Sequence, residues 1–330
     1  MIDRRSLLGA GATLASAPAG AQILEGGRPM RWVVPFPPGG AADAIGRLWA
    51  DAVTARTGQA VVIDNRGGAN GLIGVQAVTQ APPDGSVLGV LSITFFAALP
   101  LMMARPPYDP ARDLAPVARL VTSTVLCCVT AERARERGWT DFRALIEWAK
   151  LPGNRVTKGS AGNGSAAHLL IATIARRTGA QIEHVPYRGG APALNDLLAG
   201  QIDMVFDFMP ALMPHVASGR LLPLAVGSAE RSPLMPEVPG LAEFADLGLA
   251  GVDMQSWNAL TGPAALPPAV QERIAEGIRA SADAPGLRER LAAAGLVLAP
   301  FEGPAETRAR IAADALGWRE MVETSGARIE

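Results

Sequence analysis

The sequence predicts an α/β protein of two lobes, each a parallel sheet covered by helices. Three observations carry that expectation. Short β-prone runs alternate with amphipathic helical stretches in the order β-α-β-α-β, once within residues 31–93 and again within residues 155–206. Each unit has a glycine-rich turn from its first strand into its first helix, PFPPGGAAD at 35–43 and KGSAGNGSAAH at 158–168. Turn-rich links follow the units, RPPYDPARDLAP after the first and SAERSPLMPEVPG after the second.

Length and composition allow this architecture and exclude others. With 330 residues, 49% hydrophobic and 18% charged, the chain is long enough for two lobes that each bury a core. A formal net charge of −1 offers no basic surface for nucleic acid, and the two lysines, Lys150 and Lys158, leave few candidates for Schiff-base chemistry. The start, MIDRRSLLGAGATLASAPAGAQ, reads as an export signal at residues 1–21. Arg4 and Arg5 form its positive region, residues 7–17 a short apolar one, and Ala19-Gly20-Ala21 a small-residue cleavage site before Gln22. The paired arginines before Ser-Leu-Leu also fit the twin-arginine route, with Asp3 where Ser or Thr is usual. No later run is long and apolar enough to span a membrane, so a soluble periplasmic protein is expected. Cys127 and Cys128 are neighbours on a β-prone run and point to opposite faces, which makes them small core residues rather than a disulfide or metal site.

The elements follow in order. Residues 31–36 form a strand and PFPPGGAAD leads into a helix whose Ala41, Ile45, Leu48, Trp49, Ala52 and Val53 share a face, with Gly58 at its C-terminus. A strand at 60–64, the loop NRGGANG, a helix at 72–78, the turn PPDG and a strand at 87–93 complete the first unit. Residues 117–129 read as one or two strands, and Thr140 is placed to cap a helix at 141–150. The second unit has strands at 155–159, 181–186 and 202–206 and helices at 166–178 and 191–199. A helix at 210–218, strands at 222–227 and 252–261, and helices at 269–282, 285–294 and 305–323 fill the remainder.

The two glycine turns are where the chemistry concentrates. The first N–H groups of a helix lack intrahelical partners and lie at the positive end of its dipole, so a glycine turn before a helix suits an anion. Taken alone, the second turn admits two ligands. Gly162, Gly164 and Ala167 match G-x-G-x-x-A, and Glu183 stands where a dinucleotide fold puts its ribose-binding acid. A simple carboxylate cradle is the alternative, and the pairing with PFPPGGAAD favours it. Two such turns, at the strand ends of two lobes, would face each other across a cleft. Catalytic signatures are missing: the chain has no G-x-S-x-G, H-E-x-x-H or C-x-x-C. His168, His184 and His215 have no clustered acids to make a metal site, and His168 reads as a structural hydrogen-bonding residue beside the turn. Asp207 ends a strand on the cleft side, whereas Asp203 at its start is expected to be solvated; Phe36 and Phe208 could wall the cleft.

In order along the chain, VVPFPPGGAAD, VVIDNRGGANGLIG, PPDG, PPYDPARDLAPV, KGSAGNGSAAHL, HVPYRGGAPALNDLLAGQIDM, RSPLMPEVPG and the Trp257-Asn258 segment resemble the signature segments of the Bug-type solute-binding proteins of tripartite tricarboxylate transporters. The resemblance covers nearly all of the chain after the signal. It implies a type II periplasmic binding protein fold, with a hinge and an interlobe ligand cleft. It also implies residues 28–122 plus 229–330 as the first lobe and 123–228 as the second. The implied ligand is a small carboxylate, such as a di- or tricarboxylate, an acidic amino acid or an aromatic acid. The implied partners are a large and a small integral-membrane subunit, with the receptor itself a monomer that carries no cofactor, metal or catalytic residue. Carried over by position, the ligand-binding residues are Gly39, Gly40, Ala41, Ala42 and Asp43 of the first turn and Ser160, Ala161, Gly162, Asn163, Gly164 and Ser165 of the second. Asn70, Ser92 and Asp207 join them, with Phe36 and Phe208 as apolar walls. Two positions depart from the family pattern: Ala42 stands where threonine is common, which favours a less polar acid, and Ser86 replaces an aromatic after PDG, as a surface change. A periplasmic sensing domain for a signalling partner, or an exported hydrolase, are the alternative functions.

Overall fold

The computed structural model describes residues 23–329, so the expected export signal lies outside the described residues. The first unit runs β1 (Met30–Val34), α1 (Ala41–Thr57), β2 (Val61–Asn65), α2 (Leu72–Thr79) and β3 (Val87–Ser92). Two short helices, α3 (Thr94–Ala97) and α4 (Pro110–Asp113), flank a 3-10 turn at Leu99–Met102 and lead to β4 (Leu114–Thr130). After α5 (Ala131–Arg137) and α6 (Phe142–Lys150), the second unit runs β5 (Val156–Ser160), α7 (Ala166–Thr178), β6 (Ile182–Pro186), α8 (Gly190–Leu198) and β7 (Met204–Phe208). There follow α9 (Met209–Ala217), β8 (Leu221–Val226), a 3-10 helix at Leu241–Leu247, β9 (Gln255–Pro263), α10 (Pro268–Ser281), α11 (Leu287–Ala293), β10 (Val297–Leu298) and α12 (Pro304–Ser325).

Local chemistry explains these elements. In α1 the apolar stripe Ile45, Trp49, Ala52 and Val53 is buried, and Gly58 ends the helix in the left-handed region at φ 71°. Strand β3 is buried along nearly its whole length, as a central strand covered on both faces must be. Helix α6 is capped by Asp141, whose Oδ1 accepts the Ala144 N–H at 2.8 Å, in place of the expected Thr140.

The strands form one sheet in the order β2-β1-β3-β9-β4-β7-β5-β6, with β8 and β10 also paired to β4. The expected one or two strands are a single strand of 17 residues. Its first part, to Thr124, pairs with β9, and from Val125 onward it pairs with β7 and β8. Because β9 is antiparallel to both β3 and β4, the parallel set β1, β2 and β3 runs in the same direction as β4. Because β7 is antiparallel to β4 and parallel to β5, the second parallel set runs the opposite way. Both sets therefore aim their carboxyl ends at the middle of β4. Ser92 and Val121 both pair with Asn258, and Phe208 pairs with Val125, so the two strand ends stand four residues apart along β4, about 13 Å at the usual rise.

The core does not divide at this crossing. One cluster of buried side chains runs from Val33, Val75 and Phe95 through Trp257 to Phe142, Leu170 and Phe206, and takes in Trp318, Met321 and Val322 of α12. Helix α12 packs on both α3 and α7, Trp257 Nε1 donates to Asp314 at 2.7 Å, and Arg177 pairs with Glu320. The segment 229–254 lies against the second unit: the Phe244 and Phe142 rings are 5.1 Å apart, Arg143 forks onto Asp246 at 2.5 and 2.9 Å, and Arg177 donates to the Ala250 carbonyl at 2.9 Å.

One side chain corrects the sequence reading. Asp203, expected to be solvated, is 6% exposed; its Oδ2 accepts from the Thr157 N–H at 2.8 Å and the Thr157 hydroxyl at 2.9 Å, with Arg133 3.4 Å from Oδ1. Those partners come from other elements and ask an acid to be inside. Cys127 and Cys128 are free thiols in the core, as expected, and burial raises both pKa values.

Candidate functional site

The first turn ends in an open helix terminus. Gly39 takes φ 89°, Gly40 is the extended residue before α1, and no side chain caps the helix. The backbone N–H groups of Gly40, Ala41, Ala42 and Asp43 have no partner among the described residues. Asp43 turns back beneath them. Only 5% exposed, its carboxylate accepts from Gly39 N at 2.9 Å, Arg47 Nε at 3.0 Å and Asn65 Nδ2 at 3.0 Å. Burial raises its pKa, but the bonds from Arg47, Gly39 and Asn65 outweigh this and hold it below the usual carboxylate range. The Asp43 side chain thus holds the turn in shape, and what the turn presents outward is backbone N–H.

The neighbouring strand ends complete this side. Between β2 and α2, Gly68, Ala69, Asn70 and Gly71 all have positive φ, and the Asn70 side chain is exposed at the tip. A side chain on Gly74 would stand 2.6 Å from Pro35 Cα, and one on Gly71 2.6 Å from the Phe95 ring, so α2 packs directly under the first turn. Phe36, 40% exposed, has its ring 6.0 Å from Phe95. Ser92 ends β3 with its hydroxyl 2.5 Å from that of Thr94. Phe36, the 39–43 turn, Asn70 and Ser92 are thereby gathered at the carboxyl ends of β1, β2 and β3.

The second turn is built differently, around histidines. Ser160 is 1% exposed, and its hydroxyl meets His184 Nε2 at 2.5 Å and both backbone groups of Gly162 at 3.1 and 3.2 Å. Ser165 caps α7, accepting the His168 N–H at 3.3 Å and donating to the Gly162 carbonyl at 2.8 Å. Gly164 donates its N–H to His168 Nδ1 at 3.0 Å, which fixes that nitrogen as an acceptor. The His168 and His184 rings stack at 4.1 Å. Burial, then the neighbouring Lys158, lowers the pKa of His168; burial, then His168 and Lys158, lowers that of His184 to about 3. Both imidazoles are neutral at physiological pH. The N–H groups of Ala161, Asn163, Ala166 and Ala167 remain without a partner among the described residues. So the serine hydroxyls shape the turn, His168 has the structural role expected of it, and the free donors are again backbone.

Asp207 and Phe208 end β7 beside this turn. Asp207 Oδ1 accepts the Phe208 N–H at 2.8 Å, and Oδ2 lies over Gly190 at the start of α8, where a Cβ would be 2.0 Å away. Burial raises the Asp207 pKa against the opposing effects of the Phe208 N–H and Lys158. Gly164 reaches the other unit: a side chain there would stand 3.0 Å from Met102 and 2.9 Å from Ile329. Glu183 is half exposed and paired with Arg155 at 3.0 Å. Lys158, in the sequence only one of two Schiff-base candidates, lies under the second turn; the signal for that place was a lysine inside a β-prone run.

Chemically, the arrangement offers two sets of unpaired backbone N–H at opposed helix termini. Among the described residues no cluster of His, Cys, Asp or Glu could hold a metal, and no helix is long and apolar enough to cross a membrane.

Comparison with known proteins agrees with this geometry. The family described as "Tripartite tricarboxylate transporter family receptor" matches residues 45–326. A protein encoded in the tcbD-tcbE intergenic region of Pseudomonas sp. (strain P51) is 36% identical over 295 residues, spanning 89% of this chain and 86% of that protein. BugT of Bordetella pertussis is 34% identical over 304 residues, spanning 92% and 91%. Among solved structures, R. palustris Rpa4515 with adipate superposes with a TM-score of 0.81 at 29% identity, over 91% of this chain and 98% of that one. MatC of Rhodopseudomonas palustris with bound malate gives 0.77 at 26% identity, over 89% and 99%, and the periplasmic binding protein BugD gives 0.78 at 28%, over 92% and 99%. The fold is that of these periplasmic binding proteins, and the chain belongs to the tripartite tricarboxylate transporter receptor family.

Proposed function

We propose that the protein captures a small carboxylate between two lobes and presents it to the integral-membrane subunits of a tripartite transporter, without bond chemistry. The observation that carries this reading is the pair of helix N-termini, of α1 and α7, whose unpaired N–H groups stand at strand ends aimed at the same stretch of β4. Each charge-assisted N–H bond to a carboxylate contributes about 1.5–3 kcal/mol, and two lobes donating to one molecule favour closure. The neighbours solved with adipate and malate support a dicarboxylate among the candidates.

In this reading the donors on one side are Gly40, Ala41, Ala42 and Asp43, and on the other Ala161, Asn163, Ala166 and Ala167. Gly39, Ser160, Gly162, Gly164 and Ser165 hold the two turns, Asn70, Ser92 and Asp207 contact polar parts of the ligand, and Phe36 and Phe208 wall it. The lobes divide where β4 changes partners, at Thr124–Val125, and the chain returns at Gln255. In this reading 229–254, expected in the first lobe, goes with the second, and its packing against the second unit supports this. The protein acts as a monomer after export. Mass spectrometry of small molecules retained by the natively purified protein, then calorimetric titration of a carboxylate panel, tests the reading. A carboxylate bound at micromolar concentration is expected; no binding of any carboxylate at millimolar concentration, or turnover of an ester or amide, would overturn it.

A further inference from the structure

Lys158 is the one basic side chain among the described residues that is 0% exposed. It lies on β5 two residues before Ser160, and its Nζ makes a single hydrogen bond, at 2.8 Å, to the Ala167 carbonyl in the first turn of α7. No carboxylate lies within ion-pair distance of it among the described residues. The groups around it are His184 on β6, its register partner, His168 on α7, Cys127 on β4 and Asp207 on β7. Both histidines are neutral, the thiol is protonated, and Asp207 is disfavoured as an anion by its own burial. An ammonium in this position has donors left over and no ion-paired partner, with Asp207 acting on it only from beyond ion-pair distance, which is costly in a protein interior.

We infer that Lys158 is a positioning residue that takes up a proton when an anionic ligand docks on the turn above it, so that the ligand's charge is balanced from beneath by an internal ammonium. The inference rests on the carboxylate-receptor reading and adds a charge requirement to it. The ligand's anionic group sits on the free N–H groups of Ala161, Asn163, Ala166 and Ala167, and Lys158 touches the same first turn of α7 from the core side. Burial lowers the amine's pKa to about 7, so empty protein near neutrality holds Lys158 partly unprotonated. A docked carboxylate favours the protonated form. By linkage, binding then consumes protons, and affinity falls as pH rises above the empty protein's value by up to about tenfold per pH unit. A neutral analogue of the same shape gains nothing from this group.

The test is calorimetric titration of the purified protein with succinate, adipate, malate and benzoate between pH 7.5 and 9, in buffers of low and high ionisation enthalpy. In that range these acids are fully ionised and neither histidine titrates, so protons taken up report Lys158 or Asp207, and Lys158→Met tells the two apart. Wild-type protein is expected to take up a fraction of a proton rising towards one, with Kd weakening as pH rises. Lys158→Met is expected to show weaker binding at pH 7.5, no proton uptake and a flat pH profile. Binding by wild-type protein with no proton uptake across the range would overturn the inference and leave the receptor reading standing. Uptake that persists undiminished in Lys158→Met would overturn it as well. Absence of binding by all four acids would remove both. If Lys158→Met fails to fold, Asp207→Asn takes its place: uptake that persists in Asp207→Asn supports Lys158, and uptake lost in Asp207→Asn overturns the inference.

Discussion

Replacing Asp43 by alanine removes three hydrogen bonds from the turn that leads into α1. The bonds from Gly39 N and the Asn65 amide end on a buried, charged acceptor and contribute about 1.5 kcal/mol each. The Arg47 side chain is largely exposed and its pair adds little beyond these. Gly39 and Arg47 can regain water in the variant, so the net loss of stability is about 2 kcal/mol. With a urea slope near 3 kcal/mol/M, the unfolding midpoint falls by about 0.7 M. Binding suffers as well, because an unheld turn must be ordered by the ligand at about 1–2 kcal/mol per residue, which weakens Kd by about tenfold or more. Asp43→Asn is also expected to lose stability, since its amide N–H₂ must face either the Asn65 donor or the Gly39 and Arg47 donors together. The Asp43 pKa is depressed in the folded protein, so its contribution is present above the unfolded value near pH 4 and is lost as pH falls through the folded one. That part of the acid limb should be missing in both variants. Urea melts and titrations decide the matter: wild-type midpoint and affinity in Asp43→Asn would show that this carboxylate does not hold the turn.

Three further outcomes are expected. His184 is neutral in the fold with its pKa depressed to about 3, so the stability tied to it is intact above about pH 6.5 and is lost as pH falls towards 3; His184→Gln should flatten that slope in urea melts taken from pH 7 to 4. Gly164→Ala combines φ 77° with a Cβ 2.9–3.0 Å from Ile329 and Met102, so a loss of about 1–3 kcal/mol and weaker ligand binding should follow, and a melting temperature equal to wild type would count against the packing described. Cys127 and Cys128 should resist a thiol-specific chromogenic reagent in native protein and react fully in denaturant; rapid native labelling would show that the core opens there.

What the sequence made legible was local. Gly58 ends α1 in the left-handed region, an apolar stripe marks that helix, and two glycine turns announce helix N-termini, because each is written in consecutive residues. What it concealed depends on distant partners. Asp203 looks like a solvated acid until Thr157 and Arg133 arrive from other elements. Arg119 and the Ser123-Thr124 pair look like breaks in a strand, but Glu302 meets Arg119 at 2.9 Å, and β4 continues through. The Asp43 N–H stays with the outward donors of the turn, but its side chain faces its own turn, a direction that spacing alone does not give. Lys158 reads in the sequence as one of two ordinary lysines, because its oddity is burial.

The placement of β9 bears on the order in which the chain can fold during and after synthesis. It lies between β3 and β4, yet it is made after the whole second unit, and α12, which seals the shared core, comes last of all. Until Gln255–Pro263 has emerged, β3 and the first part of β4 are unpaired edges, and the core cluster around Trp257 has no centre. A chain ending at Met254 should therefore remain protease-sensitive in its first hundred residues while the second unit alone gains protection. In a nascent chain the same gap keeps the first unit from closing until synthesis is nearly done.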